Sequence, residues 1–236
     1  MPAERRAERP NRHEAITHAM EDYLKVIYLL EEEQGRVSTQ AIAEHLKVQS
    51  PSVTNMLKRL ASLRLVDHTP YRGVTLTPAG RRIALEVIRH HRLLELYLTE
   101  ALGYSWDAVH EEADRLEHSI SEELESRIDA LLGYPSADPH GHPIPTPEGE
   151  LPTSEATRLD QVDVGSTVTI ERVSDRNPEQ LRYLAALGLL PGVEVAVLDR
   201  LPFAGPMLVR VGEQEHYLSR ELAHAVFVTV PAEGER

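Results

Sequence analysis

The sequence predicts an α+β protein, helical through its first half and built of short strands in its last third. Three observations carry this. Apolar residues recur at three- and four-residue spacing up to about Leu132. A stretch crowded with Pro, Gly, Ser and Thr, GYPSADPHGHPIPTPEGELPTSEAT (residues 133–157), then interrupts the pattern. From Arg158 onward, β-branched runs (VGSTVTIERV, VEVAVLDRL, PMLVRVGE, QEHYLS, AVFVTV) alternate with turn signals. The expected organisation is a first domain over 1–78, a helical domain over 79–135, an extended Pro-rich surface linker over 136–158 and a small β-barrel domain over 159–236.

Composition bounds the function. Of 236 residues, 41% are hydrophobic and 27% charged, enough apolar material for packed cores, so wholesale disorder is excluded. No run of eighteen apolar residues is present, so a membrane helix is not expected. The start, MPAERRAERPNRHE, lacks the apolar stretch of a secretion signal, so a cytoplasmic protein is expected. With no cysteine there is no disulfide framework, thiolate metal site or cysteine nucleophile. The net charge of −13 argues against nucleic acid only as an average. Residues 47–82 hold seven basic side chains and one acid, a local balance of +6, whereas residues 95–131 hold eleven acids and two arginines, −9. Screening over about 8 Å in physiological salt lets the local balance decide what each stretch touches.

In the first domain, Ile16–Glu33 reads as an amphipathic helix through Ile16, Met20, Tyr23, Leu24, Ile27 and Leu30, with Gly35 as its stop. Thr39–Leu46 and Pro51–Leu63 follow as a helix pair, Ser50 being the expected N-cap. Ala43, Leu46, Val53, Leu57 and Leu60 close a shared core, leaving Ser52, Asn55, Lys58 and Arg59 on the opposite face. This is the layout of a helix-turn-helix whose second helix enters the major groove of DNA. Leu65–Thr69, the turn Pro70-Tyr71-Arg72-Gly73 and Val74–Thr77 form the expected wing. Base readers are expected among Gln49, Ser52, Thr54 and Asn55, at the helix start formed by Ser50 and Pro51; Lys58, Arg59, Arg64 and Arg72 would position phosphates.

Residues 79–102 and 105–132 read as two further helices. His91 and Glu95 share a face of the first by their spacing of four. His110, Asp114, Glu117 and His118 fall on one stripe of the second. A single such group is usually a solvated side chain, but six on consecutive helices repel unless something compensates them. A divalent cation does so and uses each as a ligand. Beyond them Ile120, Leu124, Ile128 and Leu131 form a face fit for another chain.

The segment MEDYLKVIYLLEEE, the helix-turn-helix with its wing, HRLLE and HEEADRLEH together resemble the diphtheria toxin repressor / manganese transport regulator family of metal-dependent transcriptional regulators. The likeness covers nearly the whole chain, including a C-terminal domain similar to that family's SH3-like (FeoA-like) domain. It implies a winged helix-turn-helix domain, a helical metal-binding and dimerisation domain, and a homodimer on pseudo-palindromic operator DNA with two metal sites per subunit. By position, Asp22, Asp114, Glu117 and His118 match the primary site. His91, Glu95 and His110 match the ancillary site, completed in longer members from the SH3-like domain. Here RNPEQLRYL offers Gln180, and Glu179 in place of a glutamate that Asn177 replaces. Lys25 stands where short manganese regulators have a glutamate. Iron-selective members have Met and Cys where this chain has Asp22 and Asp114, so the oxygen-rich set points to manganese(II), with iron(II) as the alternative.

Two other readings fit the same residues. One is a winged-helix regulator whose acidic stripe is only solvated. The other is a metal-dependent hydrolase, against which stands the absence of HExxH, GxSxG or a glycine-rich phosphate loop. An enzyme is therefore not expected.

Overall fold

The computed structural model describes residues 16–69 and 73–229. The turn at Pro70–Arg72, and Arg72 as a phosphate contact, lie outside the described residues. The chain divides into two compact units, 1–88 and 89–236, and the division falls inside one helix.

The first unit carries α1 (His18–Gln34), α2 (Thr39–His45) and α3 (Ser50–Ser62), then β1 (Val66–Thr69) and β2 (Gly73–Leu76). Met20, Leu24 and Ile27 of α1, Ile42 of α2 and Val53, Leu57 and Leu60 of α3 are fully buried, which fixes the helix pair. Burying each such side chain stabilises the fold by about 1.5–3 kcal/mol. Ser38 caps α2, its Oγ accepting from Ala41 N at 3.0 Å. The N-cap of α3 is Gln49, not Ser50; Ser50 and Pro51 occupy its first turn, where the absent proline N–H goes unmissed. The strands pair antiparallel, Val66 opposite Leu76, and Val37 bridges Val74 at their edge.

Helix α4 (Pro78–Leu102) is followed by α5 (Val109–Leu116) and α6 (Glu122–Leu131). The single helix expected over 105–132 is thus two. The chain turns after Leu116, and Ser121 restarts it by accepting Leu124 N at 3.3 Å, with Glu122 and Glu123 in the first turn. Leu93, Leu94, Leu98, Val109, Ala113 and Ile128 form a core that also takes in Ile144.

Ile144 exposes the main departure from expectation. The Pro-rich stretch is not an extended surface linker in its first part: Asp138, His140, Ile144 and Pro145 are buried. Arginines of α4 hold it down, Arg89 Nη1 donating to the Pro145 carbonyl at 2.7 Å and Arg92 Nη1 to that of Pro143. A proline has no N–H to satisfy, so its carbonyl is all that needs a partner. Gly141 has φ +87°, and a Cβ there would lie 2.1 Å from the Glu171 carbonyl oxygen, so only glycine fits.

The last part is a six-stranded antiparallel sheet of β3 (Thr157–Arg158), β4 (Thr167–Val173), β5 (Glu194–Arg200), β6 (Met207–Val211), β7 (Gln214–Leu218) and β8 (Val226–Thr229), in the order β3-β8-β4-β5-β6-β7. One face shares a core with α7 (Pro178–Ala186) and α8 (Arg220–His224): Val168, Ile170, Val195, Val197, Val209, Val226 and Val228 meet Leu181, Leu184 and Ala223. Among the described residues, no helix is long and apolar enough to cross a membrane.

Candidate metal centre and DNA-reading face

Within the second unit, α4 presents His91 and Glu95 one turn apart, both buried. Glu95 is the hub. His91 Nε2 lies 3.0 Å and His110 Nδ1 2.9 Å from its Oε1, while His140 Nδ1 stands 3.6 Å from Oε2. Burial alone would raise this carboxyl, but the imidazoles of His91, His110 and His140 outweigh it and hold Glu95 well below the usual carboxylate range. Burial pulls the His140 imidazole down; the Glu95 carboxylate beside it, with the charge of Asp138, overrides that and pushes it up to about 9.

Three members of this cluster come from the stretch read as a linker, and a fourth from the β domain. Asp138 Oδ1 accepts the backbone N–H groups of His140 and His142 at 2.8 and 2.9 Å, which pins the loop and leaves Oδ2 toward the cluster. His140 Nε2 meets the Trp106 carbonyl at 2.8 Å. A carbonyl only accepts, so Nε2 carries a proton and Nδ1 is the nitrogen aimed at Glu95. Asp175, just after β4, places Oδ2 3.9 Å from His110 Nδ1 and 3.7 Å from His142 Nδ1. Glu95 Oε2, Asp138 Oδ2, His140 Nδ1 and His142 Nδ1 are buried with no hydrogen-bond partner.

Glu117 and His118 lie at the end of α5, where Glu117 is buried and its Oε1 is 3.4 Å from His118 Nε2. His91 Nδ1 faces two carboxylates, Glu117 Oε2 at 2.6 Å and Asp114 Oδ1 at 3.2 Å. Asp114 thereby groups with His91 and His110. Asp22 sits half-buried on α1 in the first unit.

Glu179 and Gln180 do not join the described clusters. Asn177 caps α7 and accepts from both their backbone N–H groups, Glu179 is exposed, and the Gln180 amide donates to Glu221 at 2.8 Å. The β domain instead brings Asp175, five residues before Gln180. Sequence reasoning missed Asp138, His140, His142 and Asp175. The alternation Asp-Pro-His-Gly-His was the available signal, masked by the surrounding prolines.

In the first unit, Gln49, Ser50, Pro51, Ser52, Asn55, Lys58 and Arg59 line the exposed face of α3, and Arg64 is exposed just beyond it. Thr54 is half-buried and its hydroxyl donates to the Ser50 carbonyl at 3.1 Å. On α6, Ile128 is buried and Ile120 packs in the core, so only Leu124 and Leu131 of the expected apolar face point outward. Leu131 borders a cleft of about 350 Å³ with Leu96, Glu100, Ala101 and Leu132.

Three family models match in chain order: "Iron dependent repressor, N-terminal DNA binding domain" over residues 15–74, "Iron dependent repressor, metal binding and dimerisation domain" over 77–146 and "FeoA domain" over 157–230. The iron-dependent repressor IdeR of Mycobacterium leprae is 33% identical over 226 residues, spanning 90% of this chain and 97% of that protein. The diphtheria toxin repressor of Corynebacterium glutamicum is 34% identical over 225 residues, covering 90% and 96%. This chain belongs to the diphtheria toxin repressor family. Among solved structures, a manganese-dependent transcriptional repressor in complex with manganese superposes with a TM-score of 0.85 at 43% identity, covering 89% of this chain and 99% of that one. The manganese regulator SloR gives 0.76 at 33%, covering 89% and 98%. The family member described here is a metal-dependent, DNA-binding transcriptional regulator and not an enzyme; it takes a divalent metal and acts as a homodimer on operator DNA.

Proposed function

We propose that this regulator responds to manganese(II), with iron(II) as the alternative, through two metal sites in each subunit, and represses metal-uptake genes in the cytoplasm. The primary set is Asp22, Asp114, Glu117 and His118: three carboxylates, one imidazole and no sulfur. Oxygen donors suit harder ions such as manganese. The match to a manganese-bound repressor at 43% identity supports this. The second set centres on Glu95 with Asp138, His140 and Asp175, beside His91 and His110; it replaces the expected Glu179 and Gln180.

The observation that carries the reading is the set of four buried donor atoms on Glu95, Asp138, His140 and His142 that make no hydrogen bond and are met only by ion pairs of 3.3–3.8 Å. Leaving such a group unsatisfied costs about 1–3 kcal/mol, more when it is charged. A bound divalent ion supplies the positive charge and the open coordination that satisfy them together.

Asp22 belongs to the unit that holds α3, whereas Asp114, Glu117 and His118 belong to the other. Mutually repelling carboxylates leave the units free to adopt several arrangements; shared ligation selects one. In the homodimer this sets the two α3 helices about one DNA turn apart, roughly 34 Å or a multiple of it, matching a pseudo-palindromic operator. A swing from mostly incompetent to mostly competent needs about 5.5 kcal/mol of differential affinity. Structural zinc sites supply about 10–16 kcal/mol, so a weaker manganese site can still cover that difference. Gln49, Ser52 and Asn55 then read base edges, Thr54 contributes its methyl and lone pairs, and Lys58, Arg59 and Arg64 hold phosphates.

The test is an anaerobic mobility-shift titration with manganese(II) and iron(II), each against a chelator control. Retardation only with metal, at lower manganese than iron, is expected. Equal DNA binding in chelator would establish the metal-insensitive reading instead.

A further inference from the structure

We infer that His142 is a metal ligand of the second site, giving that site two imidazoles and a preference for borderline ions that the primary site lacks. This rests on the two-site reading above and deepens it. His142 is a residue of the Pro-rich stretch whose ring makes no hydrogen bond and stands only in ion-pair range of Asp138 and Asp175. Its backbone N–H is already used to close the Asp138 turn, so the side chain is not needed to hold the loop. The ring is nevertheless turned inward: its Nδ1 is buried without a hydrogen-bond partner, 3.3 Å from Asp138 Oδ2 and 3.7 Å from Asp175 Oδ2. Two carboxylate oxygens and an imidazole nitrogen at such distances are a cation's donor set, and the one guanidinium given near them, Arg92, stays 3.8 Å from Asp138 Oδ2 without a hydrogen bond to it.

His140 supplies the second nitrogen. Asp138, His140 and His142 present ligand atoms within 4.8 Å of one another, and Glu95, His140 and Asp175 do the same, so the two triads share His140. Their union is two nitrogens and three carboxylates. The loop between the rings is rigid, because Gly141 is locked against Glu171 and the His140 backbone carbonyl accepts from Val173 N at 3.0 Å. Pre-set donors of this kind bind without reordering the chain. Imidazole favours zinc, iron and cobalt over manganese relative to carboxylate. The second site therefore discriminates less in favour of manganese than the primary set of three carboxylates and one imidazole.

The experiment is equilibrium dialysis of the full-length dimer against manganese(II), zinc(II) and cobalt(II), with native protein, His142→Ala and His142→Asp. The native protein is expected to take two ions per subunit. His142→Ala should weaken the second zinc or cobalt ion about 10–100-fold, while the first is unchanged. His142→Asp should regain manganese but not zinc affinity. Nitrogen couplings in pulsed electron paramagnetic resonance of the native protein, loaded with copper(II) as a probe, give a readout independent of variant folding: a second-site signal from two imidazoles is expected. Two ions per subunit with no loss in His142→Ala, or one imidazole in the spectrum, would overturn the assignment and leave the two-site reading standing. A single ion per subunit in the native protein would overturn both.

Discussion

His91 Nδ1 lies 2.6 Å from Glu117 Oε2. The other nitrogen of the same ring lies 3.0 Å from Glu95 Oε1, so one imidazole stands between residues assigned to different metal sites. When one carboxylate takes up a metal, His91 loses or reorients one of its contacts, and the other carboxylate feels the change. The two sites should be coupled by about 1–3 kcal/mol, a 5–150-fold change in the second affinity when the first is filled. Calorimetric titration should show two interacting ions in the native protein. In His91→Ala the interaction should vanish and both affinities fall, whereas Glu95→Gln should weaken mainly the second. Undiminished coupling in His91→Ala would refute the bridge.

Ion choice rests on Asp22 and Asp114. Replacing them by the softer pair, Asp22→Met with Asp114→Cys, should raise the response to iron(II) relative to manganese(II) in an anaerobic mobility-shift assay. Zinc and copper bind such sites more tightly than either in a test tube, so the comparison must be between these two ions. Manganese preference surviving unchanged would show that something other than donor softness sets it.

Proton release follows from His140. Its imidazole stands at about 9 in the metal-free protein, above an ordinary histidine near 6.5, because Glu95 and Asp138 overcome the effect of burial. The folded state thus binds a proton more tightly than the unfolded chain. That contribution to stability is complete below about pH 6.5 and is lost as pH rises through about 9. A metal at Nδ1 must displace the proton, so second-site binding at pH 7.5 should release close to one proton from His140, and its affinity should climb with pH until about 9. Calorimetry in buffers of differing ionisation enthalpy measures this. His140→Gln should remove most of the release.

Much of this was legible in the sequence where periodicity and spacing were strong. The helix pair and the i,i+4 pair His91–Glu95 follow from three- and four-residue patterns, and β1 and β2 stand where the two strands of the wing were expected. What was illegible depended on tertiary contact. The break between α5 and α6 hid inside a run of acceptable helix formers, and only Ser121 with its two following glutamates marked a restart. Asp138, His140 and His142 were hidden by prolines that usually signal a solvated linker. Nothing local reveals that Arg89 and Arg92 wait on α4 for the proline carbonyls. Gln180 was chosen by resemblance of position, while Asp175, the residue that reaches the cluster, precedes the capped start of α7.

Arg89 is the structural hinge of that arrangement. It is buried, donates to Asp129 Oδ2 at 2.6 Å and to Glu125, and also reaches the Pro145 carbonyl. His90 adds to the network, its ring between the Glu117 carbonyl and Glu125 at 3.1 and 3.2 Å. Removing one partner of a buried ion pair leaves an uncompensated charge and costs about 3–5 kcal/mol. Arg89→Ala should lower the unfolding free energy, read from urea titration of the metal-free protein, by that much. Arg89→Met with Glu125→Gln and Asp129→Asn should recover a large part, since no charge is then stranded. A loss under 1 kcal/mol in the single variant would show that water screens the pair.

The DNA-reading face separates two kinds of contact. Asn55 is exposed on α3 with a short amide suited to the N6 and N7 edge of adenine, and Lys58 is exposed one turn further on. Asn55→Ala should cost about 1–3 kcal/mol on the best operator and less on sequences altered at one base pair, relaxing specificity at that position. Lys58→Ala should weaken all sequences alike and lower the slope of log affinity against log salt by about one. Both are read by fluorescence anisotropy with saturating metal over a salt series, because only then is the ordered dimer compared. If Asn55→Ala weakened every duplex equally, Asn55 would hold backbone, and Gln49 and Ser52 would be left as the readers.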